Sequence, residues 1–316
     1  MGLSLVHLQH QVHVDMKVRR SVSLRLGDAL FFCLAFFFIP QAGCSAVPFS
    51  LVSAQDEPTT FLANPDVAES SGLAAGRRNP GIFYTHNDSG DSPRFFAFDA
   101  RGEDWGAFLI PGAAAVDWED MGTAEIDGRP YLLLADVGDN FQRRKTCSLY
   151  LVEEPDLEFL GNKGGAAPVF QTITFSYDKG PVDCEAVMMD SGEGVVYLIG
   201  KNRGKDSPVF ALPRPEKKSE ASLVARQVAN PRLARVTGVD ISPDRSRALV
   251  VTYHDGYEFR RFPGETWARA FQREPRVVKL PRRRQGEAVC YGMDGRTVFL
   301  TSEGSPAPLW IRPAKK

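Results

Sequence analysis

The chain has 316 residues, of which 43% are hydrophobic, and its formal net charge is −1 at pH 7. This length and apolar content allow a substantial buried core. The balanced charge argues against a protein that binds nucleic acid or an anionic membrane through its overall charge. Two basic clusters, at residues 143–145 and 282–284, are expected to lie in solvated loops between strands.

Residues 1–56 have the pattern of a targeting segment. Basic residues precede a short apolar run, Ala29 to Pro40, which small residues follow. The run is shorter than the roughly 20 residues that span a bilayer, so we favour a cleaved signal peptide over a transmembrane helix. The mature protein is expected to begin between Ala42 and Val47, and to be periplasmic, extracellular or lipid-anchored. The sequence before Cys44 resembles a bacterial lipobox, but Gln41 stands where that motif prefers leucine, so lipidation and simple cleavage both stay open.

One pattern then occurs five times. A small or acidic residue opens an apolar run, a turn rich in Gly, Pro, Asn and Asp follows, and two further runs complete the module. The modules begin at Glu69, Glu119, Glu185, Thr237 and Glu287. Their spacing is near fifty residues, with one longer step that holds an insertion at 142–165, expected to be a loop. Short strands at this spacing predict an all-β fold, a β-propeller of five blades, with six as the alternative.

The two ends of the propeller domain, residues 57–316, complement each other. A lone strand-like run occupies residues 57–63, and the last module ends at residues 308–311 without a fourth strand. We therefore expect the N-terminal run to pair with the last module and close the ring. The alternating run Gln171–Tyr177 predicts an outer strand, and only residues 264–271 suggest a turn or two of helix. Three cysteines, Cys147, Cys184 and Cys290, are expected to be buried, with one disulfide between them left open.

The motifs ESSGL, THNDSGD, DWEDM, DVGDN and QGEAV resemble those of a family of exported bacterial β-propeller proteins. The resemblance extends over about residues 58–312. It implies a fold and an exported location, and it brings no assigned reaction with it.

In a propeller, the loops between blades and the loops between the second and third strands lie on one face. We expect the polar residues of both loop sets to converge there as an acidic funnel. The first set comprises Glu69, Asp117, Glu119, Asp120, Asp183, Glu185, Asp240 and Glu287. The second comprises His86, Asn87, Asp88, Asp91, Asp136, Asp139, Asn140, Lys201, Asn202, His254, Asp255 and Glu303.

Carboxylates brought together raise one another's pKa or recruit a cation, and oxygen donors suit Ca²⁺ or Mg²⁺. The candidate metal ligands are the four recurring glutamates, Glu69, Glu119, Glu185 and Glu287. The candidate ligand-binding residues are Asp88, Asp91, Asp136, Asp139, Lys201, Asp255 and Glu303. Lys201 could also neutralise the acids in place of a metal, and tight turns alone would explain many of the aspartates.

The two histidines of the propeller domain, His86 and His254, occupy the same offset in their modules. They are candidates for ligand contact or general-base catalysis, with structural roles as the alternative. No serine-hydrolase, zinc-protease or P-loop motif occurs. We therefore expect an exported monomeric propeller that binds a small polar ligand, with a divalent cation and with hydrolysis left open. The alternative is a non-catalytic cell-surface interaction or scaffold protein with a protein partner.

Overall fold

The computed structural model of the chain describes residues 56–202, 204–216 and 223–313. The predicted leader, its cleavage point and Cys44 lie outside these residues. The described part is almost entirely β-structure, as predicted, with two helices of four residues each, α1 (Leu157–Leu160) and α2 (Trp267–Ala270). Neither helix has the length and apolar content needed to cross a membrane.

The described residues form 21 strands, numbered here in chain order, of which the first eleven precede residue 191. They are β1 (Thr60–Phe61), β2 (Ser70–Ala75), β3 (Ile82–Asn87), β4 (Arg94–Asp99), β5 (Asp104–Leu109), β6 (Trp118–Ile126), β7 (Arg129–Asp136), β8 (Cys147–Glu153), β9 (Gly165–Ala166), β10 (Val169–Tyr177) and β11 (Cys184–Asp190).

Ten further strands follow between residues 195 and 312. They are β12 (Val195–Gly200), β13 (Val209–Pro213), β14 (Leu223–Ala229), β15 (Val236–Ile241), β16 (Arg247–Thr252), β17 (Asp255–Arg260), β18 (Arg276–Lys279), β19 (Gly286–Tyr291), β20 (Val298–Ser302) and β21 (Pro308–Arg312).

These strands form mainly antiparallel sheets in which most neighbours are consecutive in the chain. One sheet has the order β2-β3-β4-β5-β9, another β15-β16-β17-β18, and a third β19-β20-β21-β1. The remaining eight strands form one sheet, in which β6-β7-β8-β10 joins β14-β13-β12-β11 through a parallel pairing of β10 with β14. The strands β2, β6, β11, β15 and β19 contact one another in that cyclic order, and β19 returns to β2. Sheets arranged radially around a closed ring of inner strands define a β-propeller.

The hydrophobic core consists of layers between neighbouring sheets. One cluster joins residues of β2 to β5 to those of β6 to β8, and another joins β6 to β10 with β11 to β13. Three more clusters continue around the ring and end between the last sheet and β2 to β4. This arrangement explains why the inner strands are apolar on both faces: each is covered by a neighbour on either side.

The N-terminal run closes the ring as predicted. Strand β1 pairs antiparallel with β21, with Thr60 opposite Leu309 and Phe61 opposite Pro308. The backbone N–H of Leu62 donates to Ala307 O at 2.8 Å, which continues the pairing. The edge of β21 is therefore covered by the chain's own N-terminal segment.

The insertion at residues 142–165 is more ordered than expected. After β8 it contains α1 and then β9, which pairs in parallel with β5. The expected loop therefore adds a fifth strand to the first sheet. The predicted outer strand is confirmed: β10 covers residues 169–177 and alternates between buried and exposed positions.

Candidate functional site

Each inner strand begins with a β-bulge at the same structural position. The pairing registers skip one residue in four of these strands, at Ser71, Glu119, Glu185 and Thr237. In β19 the skipped pair is Glu287–Ala288. A bulged residue has no partner in the ladder, and the bulge turns its side chain away from the regular alternation. The bulges therefore place Glu119, Glu185 and Glu287 at equivalent positions.

The first module departs from the predicted alignment. Ser71 occupies the bulge, whereas Glu69 is exposed and precedes β2. The reason is the register: Ser70 pairs with Asn87, and the Asn87 amide oxygen accepts the backbone N–H of Glu69. Ser71 donates its hydroxyl to Glu119 O at 2.5 Å, and Thr237 likewise donates to Gly286 O at 2.8 Å. The bulge residues that are not glutamates thus fasten their strand to the next.

Three buried carboxylates meet at the bulges of β6 and β11. Glu119, Asp183 and Glu185 each place one oxygen within 4.8 Å of the other two. Lys201 Nζ lies 2.5 Å from Glu185 Oε1, and 5.7 Å from the centre of the Tyr253 ring. An ion about 2.4 Å from each oxygen is compatible with these separations, so the cluster could hold a metal ion. The same geometry also lets Lys201 act as the neutralising cation.

A second group of carboxylates shares Glu119. Oxygens of Asp88, Asp117 and Glu119 also lie within 4.8 Å of one another. Asp88 and Asp117 are half-buried, and the salt bridges of the described residues include none to any of these three acids. The two groups together form a continuous acidic floor, which we call the carboxylate cluster: Asp88, Asp117, Glu119, Asp183 and Glu185.

The pKa values of the cluster reflect burial and mutual repulsion. Burial, with Glu185, Asp88 and Asp117 nearby, raises the pKa of Glu119 well above its usual value. Burial and the charge of Asp88 raise the pKa of Asp117 to about 6. Burial raises the pKa of Glu185, although the Lys201 ammonium opposes the rise. The cluster thus favours either bound protons or a bound cation.

Two of the predicted ligand-binding residues, Asp136 and Asp139, make contacts that hold the loop after β7. Asp136 Oδ1 accepts the N–H of Asp117 at 3.0 Å and lies 2.8 Å from Arg144 Nη1. Asp139 accepts the N–H of Arg144 at 2.6 Å, and its own N–H donates to Asp183 Oδ1 at 3.1 Å. Asp136 and Asp139 therefore help to position Asp117 and Asp183, two members of the cluster.

The other predicted acids are not among the five carboxylates of the cluster. Asp91 binds Arg94 and the Asn87 amide, and Asp255 lies 3.9 Å from Lys279 Nζ. Glu303 accepts from the Gln285 amide, and burial followed by the charge of Asp88 raises its pKa. Burial raises the pKa of Glu287 to about 7, but this residue belongs to neither group of carboxylates.

The structure does not bring the two histidines together. His86 is fully buried: Nδ1 lies 2.8 Å from Asn87 O, and the ring packs edge-on against Trp118. Burial lowers its pKa, so the ring is neutral. His254 is exposed in the bend after β16. Neither ring belongs to the carboxylate cluster.

Two acids of the first predicted set point into the core instead of the funnel. Asp120 is fully buried and accepts backbone N–H groups from Met121, Val187 and Val239, on three different inner strands. Asp240 accepts the N–H of Tyr291 at 2.7 Å. Each follows a bulge by one or three positions, so the strand alternation turns it inward.

One expectation about the basic clusters is wrong. Arg283 is only 4% exposed, with Nη2 donating to Thr252 O at 3.0 Å, and Arg144 is half-buried in the loop after β7. The other members are exposed as predicted. Side-chain reach explains the difference, because each buried arginine finds backbone carbonyl acceptors at a blade junction. Cys147, Cys184 and Cys290 are buried, as predicted, and all three are free, so no disulfide forms among the described residues.

Comparisons with known proteins find similar solved structures but no family. No protein-family model matches the chain, and neither does any curated protein. Among solved structures, the chain is similar to the PQQ-bound aldose sugar dehydrogenase of Streptomyces coelicolor, at 10% identity and a TM-score of 0.47, over 81% of this chain and 96% of that one. It is also similar to a chain of a nidogen–laminin complex, at 14% identity and a TM-score of 0.45, over 79% and 87%. The propeller assignment rests on this chain's own strand order.

Proposed function

We propose that the protein binds a small polar ligand through a divalent cation, Ca²⁺ or Mg²⁺, held by the carboxylate cluster. The observation that carries this proposal is the meeting of Glu119, Asp183 and Glu185, all buried, within 4.8 Å of one another. Lys201 supplies one positive charge to these three buried carboxylates, so all three can ionise only if a further cation binds, and hard cations prefer oxygen ligands. A bound cation would also polarise a ligand carbonyl or phosphoryl oxygen, which makes metal-assisted hydrolysis the reaction class to assay first.

The finer architecture belongs to the same proposal. We infer five blades, because five inner strands form the ring and five apolar clusters separate the sheets. In this count the eight-stranded sheet is two blades joined by the β10–β14 pair. Export, with or without a lipid on Cys44, rests on the leader sequence alone.

Thermal melting with and without cations tests the proposal. A cation that binds only the folded state at a hundredfold excess over Kd stabilises by about 2.7 kcal/mol. We expect Ca²⁺ or Mg²⁺ to raise the melting temperature of the wild type after chelator treatment, and Glu119→Gln to abolish that rise. Glu103→Gln, an exposed residue that pairs with Arg101, is the matched control and should respond like the wild type. If neither cation changes the melting temperature of the wild type, the proposal is refuted.

A non-catalytic interaction protein is the second candidate. A groove of about 220 Å³ lies between the β2–β3 and β19–β20 hairpins, at the ends of the strands opposite their bulges, and is lined largely by apolar side chains. Met293, at its edge, is 46% exposed. An exposed apolar surface of this kind favours a protein partner. If neither cation raises the melting temperature, we favour this second candidate over the cation-dependent ligand-binding protein.

A further inference from the structure

Glu119 belongs to both groups of carboxylates. It is 6% exposed, and within the described residues its carboxylate has no hydrogen bond and no ion pair. A buried carboxylate normally accepts hydrogen bonds or pairs with a cation, so this unpartnered group indicates a ligand that satisfies it. The bulge in β6 takes the Glu119 side chain out of the strand alternation, and its carboxylate lies within 4.8 Å of an oxygen of Asp117 in one group and of Asp183 in the other.

Gly138 supports the same interpretation from the opposite wall. A Cβ atom at this position would collide with Glu119 Oε1 and would lie 2.6 Å from the Asp117 carboxylate. The loop after β7 therefore approaches both carboxylates with bare backbone. Space for the two acids side by side depends on this glycine, since any side chain would displace one of them.

The charge balance differs between the two groups. Lys201 is ion-paired with Glu185, so one positive charge already lies beside Asp183 and Glu185. Asp88 and Asp117 have no such partner among the described salt bridges. Within the cluster, five carboxylates lie against the single ammonium of Lys201, and the nearby Arg144 guanidinium is ion-paired with Asp136. The cluster therefore has an excess of negative charge when all five acids are ionised, which two divalent cations would reduce.

We propose that Glu119 bridges two divalent cations, an outer one held with Asp88 and Asp117 and an inner one held with Asp183 and Glu185. This inference rests on the proposed function and deepens it. Two cations bridged by one carboxylate lie close enough to bind one anionic group together. The ligand class is therefore a compound with a phosphate or carboxylate group that spans both ions.

Cation stoichiometry on the purified full chain tests the inference. Isothermal titration with Mg²⁺ and Ca²⁺, together with elemental analysis after gel filtration, should give two cations per chain. Mn²⁺, used as a paramagnetic probe, should give the spin-coupled spectrum of a pair. One cation per chain, or two uncoupled Mn²⁺ ions, overturns the inference and leaves the proposed function standing. The weakest protein calcium sites have Kd values of about 0.1 to 1 mM. If no cation binds at a concentration of about 10 mM, well above that range, both the inference and the proposed function are overturned.

Variants assign the two sites. Asp88→Asn should remove only the outer cation and Asp183→Asn only the inner one, because each acid belongs to one group of carboxylates. Asparagine at position 183 keeps an acceptor for the Asp139 N–H. Glu119→Gln should weaken both, and Glu103→Gln should keep both. Circular dichroism establishes that each variant is folded. Loss of one cation in Glu119→Gln, with the other bound at wild-type affinity, contradicts a bridging role.

Discussion

The bulge at the start of each inner strand decides which side chains leave the regular alternation of the strand. Where the bulge residue is glutamate, in β6, β11 and β19, a carboxylate is released from the ladder. Where it is Ser71 or Thr237, the hydroxyl instead fastens neighbouring strands. The same local distortion therefore provides either a candidate ligand or a structural link, according to side-chain length and charge.

Glu154 is a buried structural carboxylate whose loss should be costly. Its two oxygens accept the backbone N–H groups of Arg77, Arg78 and Asn79, the Asn79 amide and the Tyr84 hydroxyl. Glu154→Ala leaves these donors without an acceptor, so we expect a loss of about 3–5 kcal/mol in unfolding free energy by urea titration. Glu153→Ala removes only a partly exposed ion pair with Arg78 and should cost less than about 1 kcal/mol. Equal losses in the two variants would contradict this role.

Asp240 should make the stability of the metal-free protein depend on pH. Burial raises its pKa from 3.8 to about 7. Between these values the folded state binds more protons than the unfolded state, so unfolding free energy falls as pH rises from about 4 to about 7. Asp240→Asn, which keeps an acceptor for the Tyr291 N–H, should flatten this fall by about 4 kcal/mol. Urea titrations in chelator at several pH values test it, and parallel curves for the variant and the wild type would be the contrary result.

At the scale of elements, glycine sets how closely inner strands approach. A Cβ at Gly72 would lie 2.5 Å from His86 Nε2 and 2.6 Å from the Met121 backbone nitrogen. At Gly122, in the next inner strand, a Cβ would meet only Val187 O, at 3.7 Å. The β2–β6 contact therefore depends on a missing side chain, whereas the β6–β11 contact has room for a methyl group.

These two glycines form a matched pair for a stability test. Gly72→Ala should destabilise by about 2–4 kcal/mol, because the methyl group overlaps backbone and a buried ring. Gly122→Ala should change stability by less than about 1 kcal/mol, since its backbone conformation is one that alanine adopts and the methyl fits. Chemical denaturation of both variants provides the measurement. Similar losses would mean that strand spacing adjusts freely around the ring.

At the scale of the whole molecule, the ring depends on a short N-terminal strand. Residues Thr60 and Phe61 cover the edge of β21, and Trp310 donates its indole N–H to Asp56 O at 3.1 Å. Without this segment, the last sheet has an open edge that can pair with another chain.

Truncation tests ring closure. A chain that begins at residue 62 should melt at a lower temperature than the full chain and should associate as concentration rises, as seen by gel filtration. A chain that begins at residue 54 keeps every contact of Asp56 and β1, and should stay monomeric with an unchanged melting temperature. Equal behaviour of the two truncated chains would show that β1 contributes nothing to closure.

The sequence by itself determined the all-β class, the strand order within modules and the closing role of residues 57–63. Apolar runs, turn residues and period-two alternation are local signals, and the closing strand was evident from one unpaired run at each end. Glu119 and Glu185 were also recognised, since they open two modules at the same point.

Only the tertiary structure decided the membership of the site. Ser71 replaced Glu69 because a bulge sets the register, and the runs of apolar residues cannot show where a bulge falls. Asp117 and Asp183 joined Glu119 because loops from different blades meet at the axis, although the sequence placed them only in a wider set of polar loop residues. Arg283 was buried by the same convergence. Contacts between residues far apart in the chain depend on how blades pack, and neither spacing nor composition encodes that geometry.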